Sequence, residues 1–178
     1  MELLLLDSHI VNIKNKVDNW LLSFNEAISD KISKTDSIEN LNKLFFENSH
    51  WRDILALTWQ IQTTSGKQNI IPKLYDTVLN VIAKDFVIDP QRTQPREVIR
   101  AGKNVVEVIL KFKTKFGYCE GVVRLYEDSE VSGAFKAWNF LTALSDLNSS
   151  FNKKEDQYEN TLEGPNWLDV RKEDRLYK

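Results

Sequence analysis

The chain has 178 residues, of which 42% are hydrophobic and 28% charged, with a formal net charge of -2 and one cysteine. That length supports one domain with a proper core plus tails, and the composition is that of an ordinary soluble protein rather than a disordered or membrane-embedded one. Lys and Arg are interleaved with Asp and Glu, which leaves no basic stripe for a nucleic acid, and the lone Cys119 excludes an internal disulfide and fits a buried thiol in a reducing compartment.

The opening run from Met1 to Leu6 is apolar, but it lacks the basic start, the length and the small-residue cleavage site of a secretory signal, so it is expected to dock on the domain. No other run approaches membrane-spanning length, and the expectation is a cytoplasmic chain with no membrane partner. Asp7 or Ser8 can cap a long amphipathic helix with apolar positions Ile10, Ile13, Val17, Leu21, Phe24 and Ile28. Asp36 or Ser37 can then cap a shorter helix through Ile38, Leu41, Leu44 and Phe45, with Asn48-Ser49 breaking it.

Clean alternation over 51–61 predicts a single strand with Trp51, Asp53, Leu55, Leu57, Trp59 and Ile61 on one face. Thr63 to Gly66 reads as a turn into a second amphipathic helix marked by Ile70, Ile71, Leu74, Val78, Val81 and Ile82, reaching about Lys84. Phe86-Val87-Ile88 is a short strand, and the segment from Asp89 to Gly102 is extended without a defined element. Three strands then follow with hardly any loop between them. The first, over 105–113, puts Val106, Val108, Leu110 and Phe112 on one face; the second, over 118–127, does the same with Cys119, Gly121, Val123 and Leu125; the third, over 135–144, carries Trp138, Phe140 and Leu144.

Helices gathered early and strands gathered late predict an α+β domain over 1–148, its N-terminal helices covering one face of a curved, mostly antiparallel sheet. Residues 149–178 read as a charged C-terminal tail or linker, in which Trp167 and Leu168 stand out. A curved sheet closed by a helix makes a cone whose wide end can hold a small hydrophobic ligand. Asp53 is the chemically suggestive residue. Shielded in a pocket walled by Trp51, Trp59 and Trp138, with His50 assisting, its carboxylate could shuttle protons on a carbonyl compound. The competing reading pairs Asp53 with Arg52, Arg124 or a backbone amide, and makes the tryptophans core residues. Glu107, Glu120 and Arg124 alternate on neighbouring strands, either as cross-strand ion pairs on a solvated face or as polar handles inside the cone, with the former the expectation. Two histidines and one cysteine, far apart, give no ligand spacing for a metal.

The element order resembles the cone-shaped nuclear-transport-factor-2-like, or SnoaL-like, fold, which hosts isomerases, dehydratases, cyclases and binding modules. More locally, Ser49 to Trp59, the turn at Gly66, and Phe135 to Leu144 resemble the N-terminal domain of one group of flavin-containing monooxygenase-like proteins. Gly164-Pro165-Asn166-Trp167-Leu168-Asp169-Val170-Arg171 resembles the connector that precedes the flavin-binding domain in that group. The resemblance implies an accessory, non-redox module that packs on downstream catalytic domains or on its own copy as a homodimer. FAD and NADPH would enter only with such a downstream region. The glycines at 66, 102, 117, 121, 133 and 164 form no G-x-G-x-x-G turn for a dinucleotide, so no cofactor is expected in this chain. The expectation is the front part of a longer protein, a truncated product or a free-standing relative. The alternative reading is a free-standing SnoaL-like isomerase, dehydratase or cyclase acting through Asp53.

Overall fold

The computed structural model describes residues 2–128 and 134–148, with side chains from position 11 onward. The tail over 149–178, with Trp167 and Leu168, and most of the turn before the last strand lie outside the described residues. In chain order the elements are α1 (Glu2–Ala27), α2 (Lys34–Leu44), β1 (Phe45–Ile54), β2 (Ile61–Ser65), α3 (Lys67–Asn80), β3 (Lys84–Ile88), β4 (Arg96–Arg100), β5 (Lys103–Lys113), β6 (Gly117–Glu127) and β7 (Phe135–Leu147).

The strands form one seven-stranded sheet in the order β2-β1-β7-β6-β5-β3, with β4 also pairing β5. Among the described residues only the β1–β7 pairing is parallel. The expected α+β class is therefore the observed one, and the meander β5-β6-β7 forms as its alternation required. Its predicted inner residues Val106, Val108, Leu110, Phe112, Cys119, Val123 and Leu125 are all buried.

Several element boundaries differ from the sequence reading. α1 starts at Glu2 instead of being capped at Asp7 or Ser8, because the leucines of the opening run are themselves good helix formers. The cap of α2 is Ser33, whose hydroxyl accepts the Asp36 amide at 3.2 Å, so Asp36 sits in the first turn rather than at the cap. Asn48-Ser49 breaks nothing and lies inside β1. The predicted strand over 51–61 is really a hairpin: β1 ends at Ile54, the chain turns over 55–60, and β2 runs back antiparallel with Ile54 opposite Ile61. In the undefined stretch after Asp89, β4 returns on β5 through Ala101 and Gly102, both at positive φ, the geometry of a tight two-residue hairpin turn.

α1 turns Val17, Trp20, Leu21, Phe24 and Ala27 into the core. The Phe24 ring lies 5.1 Å from that of Phe86, 5.2 Å from Trp20, 5.6 Å from Phe140 and 6.4 Å from Phe45, so aromatic rings fill the space between helix and sheet. Asn25 fastens the arrangement: its amide donates to the Phe86 carbonyl at 2.8 Å and its oxygen accepts the Phe86 amide at 3.1 Å. Among the described residues, no helix is long and apolar enough to cross a membrane.

Candidate functional site

β1 presents Phe45, Ser49, Trp51 and Asp53 to the interior, and His50 and Arg52 to the opposite, outer face of the sheet. Asp53 is 1% exposed and lies beside Thr142 in the parallel β1–β7 pairing. Its carboxylate accepts hydrogen bonds from the Leu57 amide at 3.1 Å, the Thr58 amide at 2.8 Å, the Thr58 hydroxyl at 2.6 Å and the Thr142 hydroxyl at 2.6 Å. Thr142 Oγ1 in turn accepts Trp51 Nε1 at 3.0 Å. A buried carboxylate is costly unless its lone pairs are used, and here they close the turn that separates β1 from β2. The partners are backbone and hydroxyl groups; neither Arg52 nor Arg124 takes part.

The tryptophans named with Asp53 do not wall one pocket. Trp51 is buried in the core, while Trp59 rides on the turn at 46% exposure, its ring 4.9 Å from that of Phe116. Trp138 is the extra residue of a β-bulge in β7 and stands half-buried on the outer face, edge-on to Tyr126 at 6.4 Å. The alternation over 51–61 misplaced Trp59 because the period of two continued, by sequence accident, across a turn. His50 faces outward, with Nδ1 2.9 Å from the Ser65 hydroxyl, and so lies across the sheet from the Asp53 carboxylate.

Chain-path comparisons return solved structures at low identity. One is nuclear transport factor 2 from Cryptosporidium parvum, 16% identical over 72% of this chain and 90% of that one, with a TM-score of 0.46. Another is a nuclear transport factor 2-like superfamily protein from Salmonella enterica, 11% identical over 79% and 93%, at 0.49. A third is a steroid delta-isomerase from Pseudomonas aeruginosa, 15% identical over 76% and 80%, at 0.44. No family model and no curated protein matches the chain. Likeness at this level carries no chemistry with it, so the site rests on this chain's own residues. None of these three structures carries the flavin-monooxygenase part of the sequence resemblance.

Strand register orders the outer face of the sheet into rows. Thr63, Arg52, Leu141, Val122 and Ile109 form one row across β2, β1, β7, β6 and β5. The next row is Ser65, His50, Asn139, Arg124 and Glu107. Between them a cleft of about 330 Å³ is lined by His50, Arg52, Thr63, Val122, Arg124, Asn139 and Leu141, with no carboxylate in its lining. Beyond it, the Phe46 ring stacks on Tyr126 at 3.9 Å, and the Lys103 ammonium lies 4.8 Å from Tyr126 and 5.1 Å from Trp138.

Glu107 anchors the charges of this face. Arg124 donates to it at 2.9 Å, and Arg96 and Arg100 approach to 3.3 and 3.5 Å. Burial pushes the Glu107 carboxyl up, but the hydrogen bonds from Arg124 and Arg96 and the charges of Arg124 and Arg100 outweigh it and hold the group below its ordinary value. The expected cross-strand pairing of Glu107 with Arg124 is present, whereas Glu120 pairs with Arg92 at 3.1 Å from the connection before β4. The sequence pattern alone had no means of finding the row of Arg52, Leu141 and Val122, since those residues sit on three strands whose register only the fold supplies.

Proposed function

We propose that this domain is a non-redox assembly module that pairs with a second copy of itself through the outer face of its sheet. The observation that carries this reading is the order Glu120, Val122, Arg124 along the outer side of β6, an acid, an apolar residue and a base at equal spacing. A two-fold axis lying between two such sheets, perpendicular to the strands and level with Val122, sets Val122 against Val122 and Arg124 against the partner subunit's Glu120. The patch is thus complementary to itself, as a symmetric dimer requires. Half-exposed Leu141, Val122, Ile109 and Ala143 supply its apolar centre, and the carboxylate-free cleft beside Arg124 receives the partner's acidic end.

Sedimentation velocity over a wide concentration range tests the reading. The wild type is expected to shift toward a dimer as concentration rises, and Leu141→Lys or Glu120→Arg to remain monomeric while folding normally. A wild type that stays monomeric at the highest concentration overturns it.

A second reading keeps the same face but changes its partner to the catalytic domains of a flavin-dependent monooxygenase, which would bring FAD and NADPH. Its support is that Arg52, Asn139 and Leu141, from the two segments that carry the resemblance, come together in one cleft. A native protein captured from its own cells, yellow and well above 20.7 kDa in chain mass, is the result this reading needs. An isomerase, dehydratase or cyclase working through Asp53 has less support, because that chemistry needs a carboxylate oxygen within reach of substrate.

A further inference from the structure

We infer that the end of the domain holding Trp59 and the β5–β6 turn is a docking surface for an anionic lipid bilayer. This surface is separate from the sheet face proposed for assembly. Large apolar side chains point outward here: Trp59 is 46% exposed and Ile82 57%. Both stand at positive φ, +55° and +52°, in the left-handed region that bulky and β-branched residues rarely occupy. Ile82 takes the left-handed position that ends α3, where the Ala83 amide donates to the Val78 carbonyl at 2.8 Å, and Trp59 lies in the turn closed by Asp53, so these two turns hold the side chains outward at a conformational cost.

The two residues belong to one surface. The Trp59 ring lies 4.9 Å from that of Phe116, and the Lys115 amide donates to the Val81 carbonyl, next to Ile82, at 2.9 Å. A depression of about 490 Å³ joins Trp59, Val81, Lys115 and Phe116. Around it stand Lys84, Lys113 and Lys115, with Lys84 and Lys113 opposite each other in the β3–β5 register. All three are exposed, and among the described residues none forms an ion pair. Among the described residues, Asp85 and Asp146 lie at the same end, and the three lysines outnumber them.

An exposed tryptophan and isoleucine beside three lysines, of which Lys115 lies 5.0 Å over the Phe116 ring and Lys113 6.0 Å over that of Tyr118, have the chemistry of the membrane interface. The indole settles at the headgroup boundary, and the ammonium groups meet lipid phosphates and carboxylates. The contact is peripheral. It needs no spanning helix.

Co-sedimentation of the full chain with vesicles of phosphatidylcholine, with and without phosphatidylserine, is the test. Binding is expected only to the serine-containing vesicles, falling with salt, and dropping by about fivefold for each lysine lost in Lys113→Gln and Lys115→Gln. Trp59→Ala is expected to abolish binding and Trp59→Phe to retain part of it, with circular dichroism confirming that each variant folds. A chain that stays in the supernatant with anionic vesicles at low salt overturns the proposal. So does equal binding by wild type and Trp59→Ala. If Trp59 instead becomes shielded from acrylamide as the protein concentration rises without vesicles, read as the difference between wild type and Trp59→Phe, the patch is a protein interface and the lipid assignment fails. Leu141→Lys, aimed at the sheet face, is expected to leave vesicle binding unchanged, so failure of either proposal is visible without the other.

Discussion

The Thr142 hydroxyl donates to Asp53 Oδ1 across 2.6 Å, joining the middle of β7 to the end of β1 on the buried side of their parallel pairing. The same hydroxyl accepts the Trp51 indole, so one small side chain satisfies two buried groups. Thr142→Val keeps the shape of the residue and removes both interactions. It is expected to destabilise the domain by about 2–3 kcal/mol, because the buried carboxylate loses one of its donors and the indole loses its acceptor in a place water does not reach. Urea denaturation would measure this, and a loss under about 0.5 kcal/mol would count against the network.

Asp53→Asn separates a structural carboxylate from a reacting one. An amide in that position presents only one oxygen to the donors from Leu57, Thr58 and Thr142, and turns an NH₂ group toward another of them. The expected result is a loss of about 2–4 kcal/mol, with faster proteolysis at the turn over 55–60. A variant as stable as the wild type would return Asp53 to the list of candidate reacting groups.

Glu107 makes stability depend on pH with a definite sign. Its folded-state pKa lies below the ordinary carboxylate value, so its contribution is fully present above that ordinary value and is lost as pH falls through the lower, folded one. Glu107→Gln is therefore expected to be less stable than the wild type at neutral pH, with the gap closing as the solution is acidified below about pH 4.5. A gap that is unchanged down to the acid transition would mean that the Arg96, Arg100 and Arg124 cluster does not hold the charge.

β5 and β6 were legible because each is half-buried and its apolar residues recur every second position through to a turn, whereas the bulge at Trp138 in β7 puts that residue out of phase with Phe140. The β1–β2 hairpin was not, because Leu55, Leu57 and Trp59 keep the same period while the chain reverses. The signal that ends β1 is Asp53 itself, whose side chain caps amides four and five residues on; in the sequence it reads as a lone charge inside a strand. β4 was hidden for a different reason: its residues are mostly exposed and charged, and it exists because β5 offers it an edge. Asp53 was picked out correctly as a buried anomaly, while the company assigned to it was not, since Trp51, Trp59 and Trp138 separate once the hairpin and the bulge are in place.

Phe24 touches Trp20, Phe45, Phe86 and Phe140 at 0% exposure. Phe24→Ala removes the side chain through which α1 meets both ends of the sheet, and a cost of about 3–5 kcal/mol is expected. Phe24→Leu keeps most of the volume and should cost about half as much. Thermal unfolding followed by near-ultraviolet circular dichroism would report it. A small loss for Phe24→Ala would mean that α1 is held mainly by Asn25 and its bonds to Phe86.

Cys119 is a buried, free thiol on β6. Burial pushes its thiol up to about 11, with the nearby Asp53 carboxylate adding to the effect and the Thr114 hydrogen bond opposing it. Reaction with a disulfide reagent needs the thiolate, which at a pKa near 11 is on the order of a hundredfold scarcer at neutral pH than for a free cysteine. Native protein is expected to label only as fast as it opens, so labelling should speed up with urea in step with loss of structure, and Phe24→Ala should label faster than wild type. Stoichiometric labelling of the native wild type within minutes would show that β6 parts from its neighbours far more readily than its pairing with β5 and β7 implies.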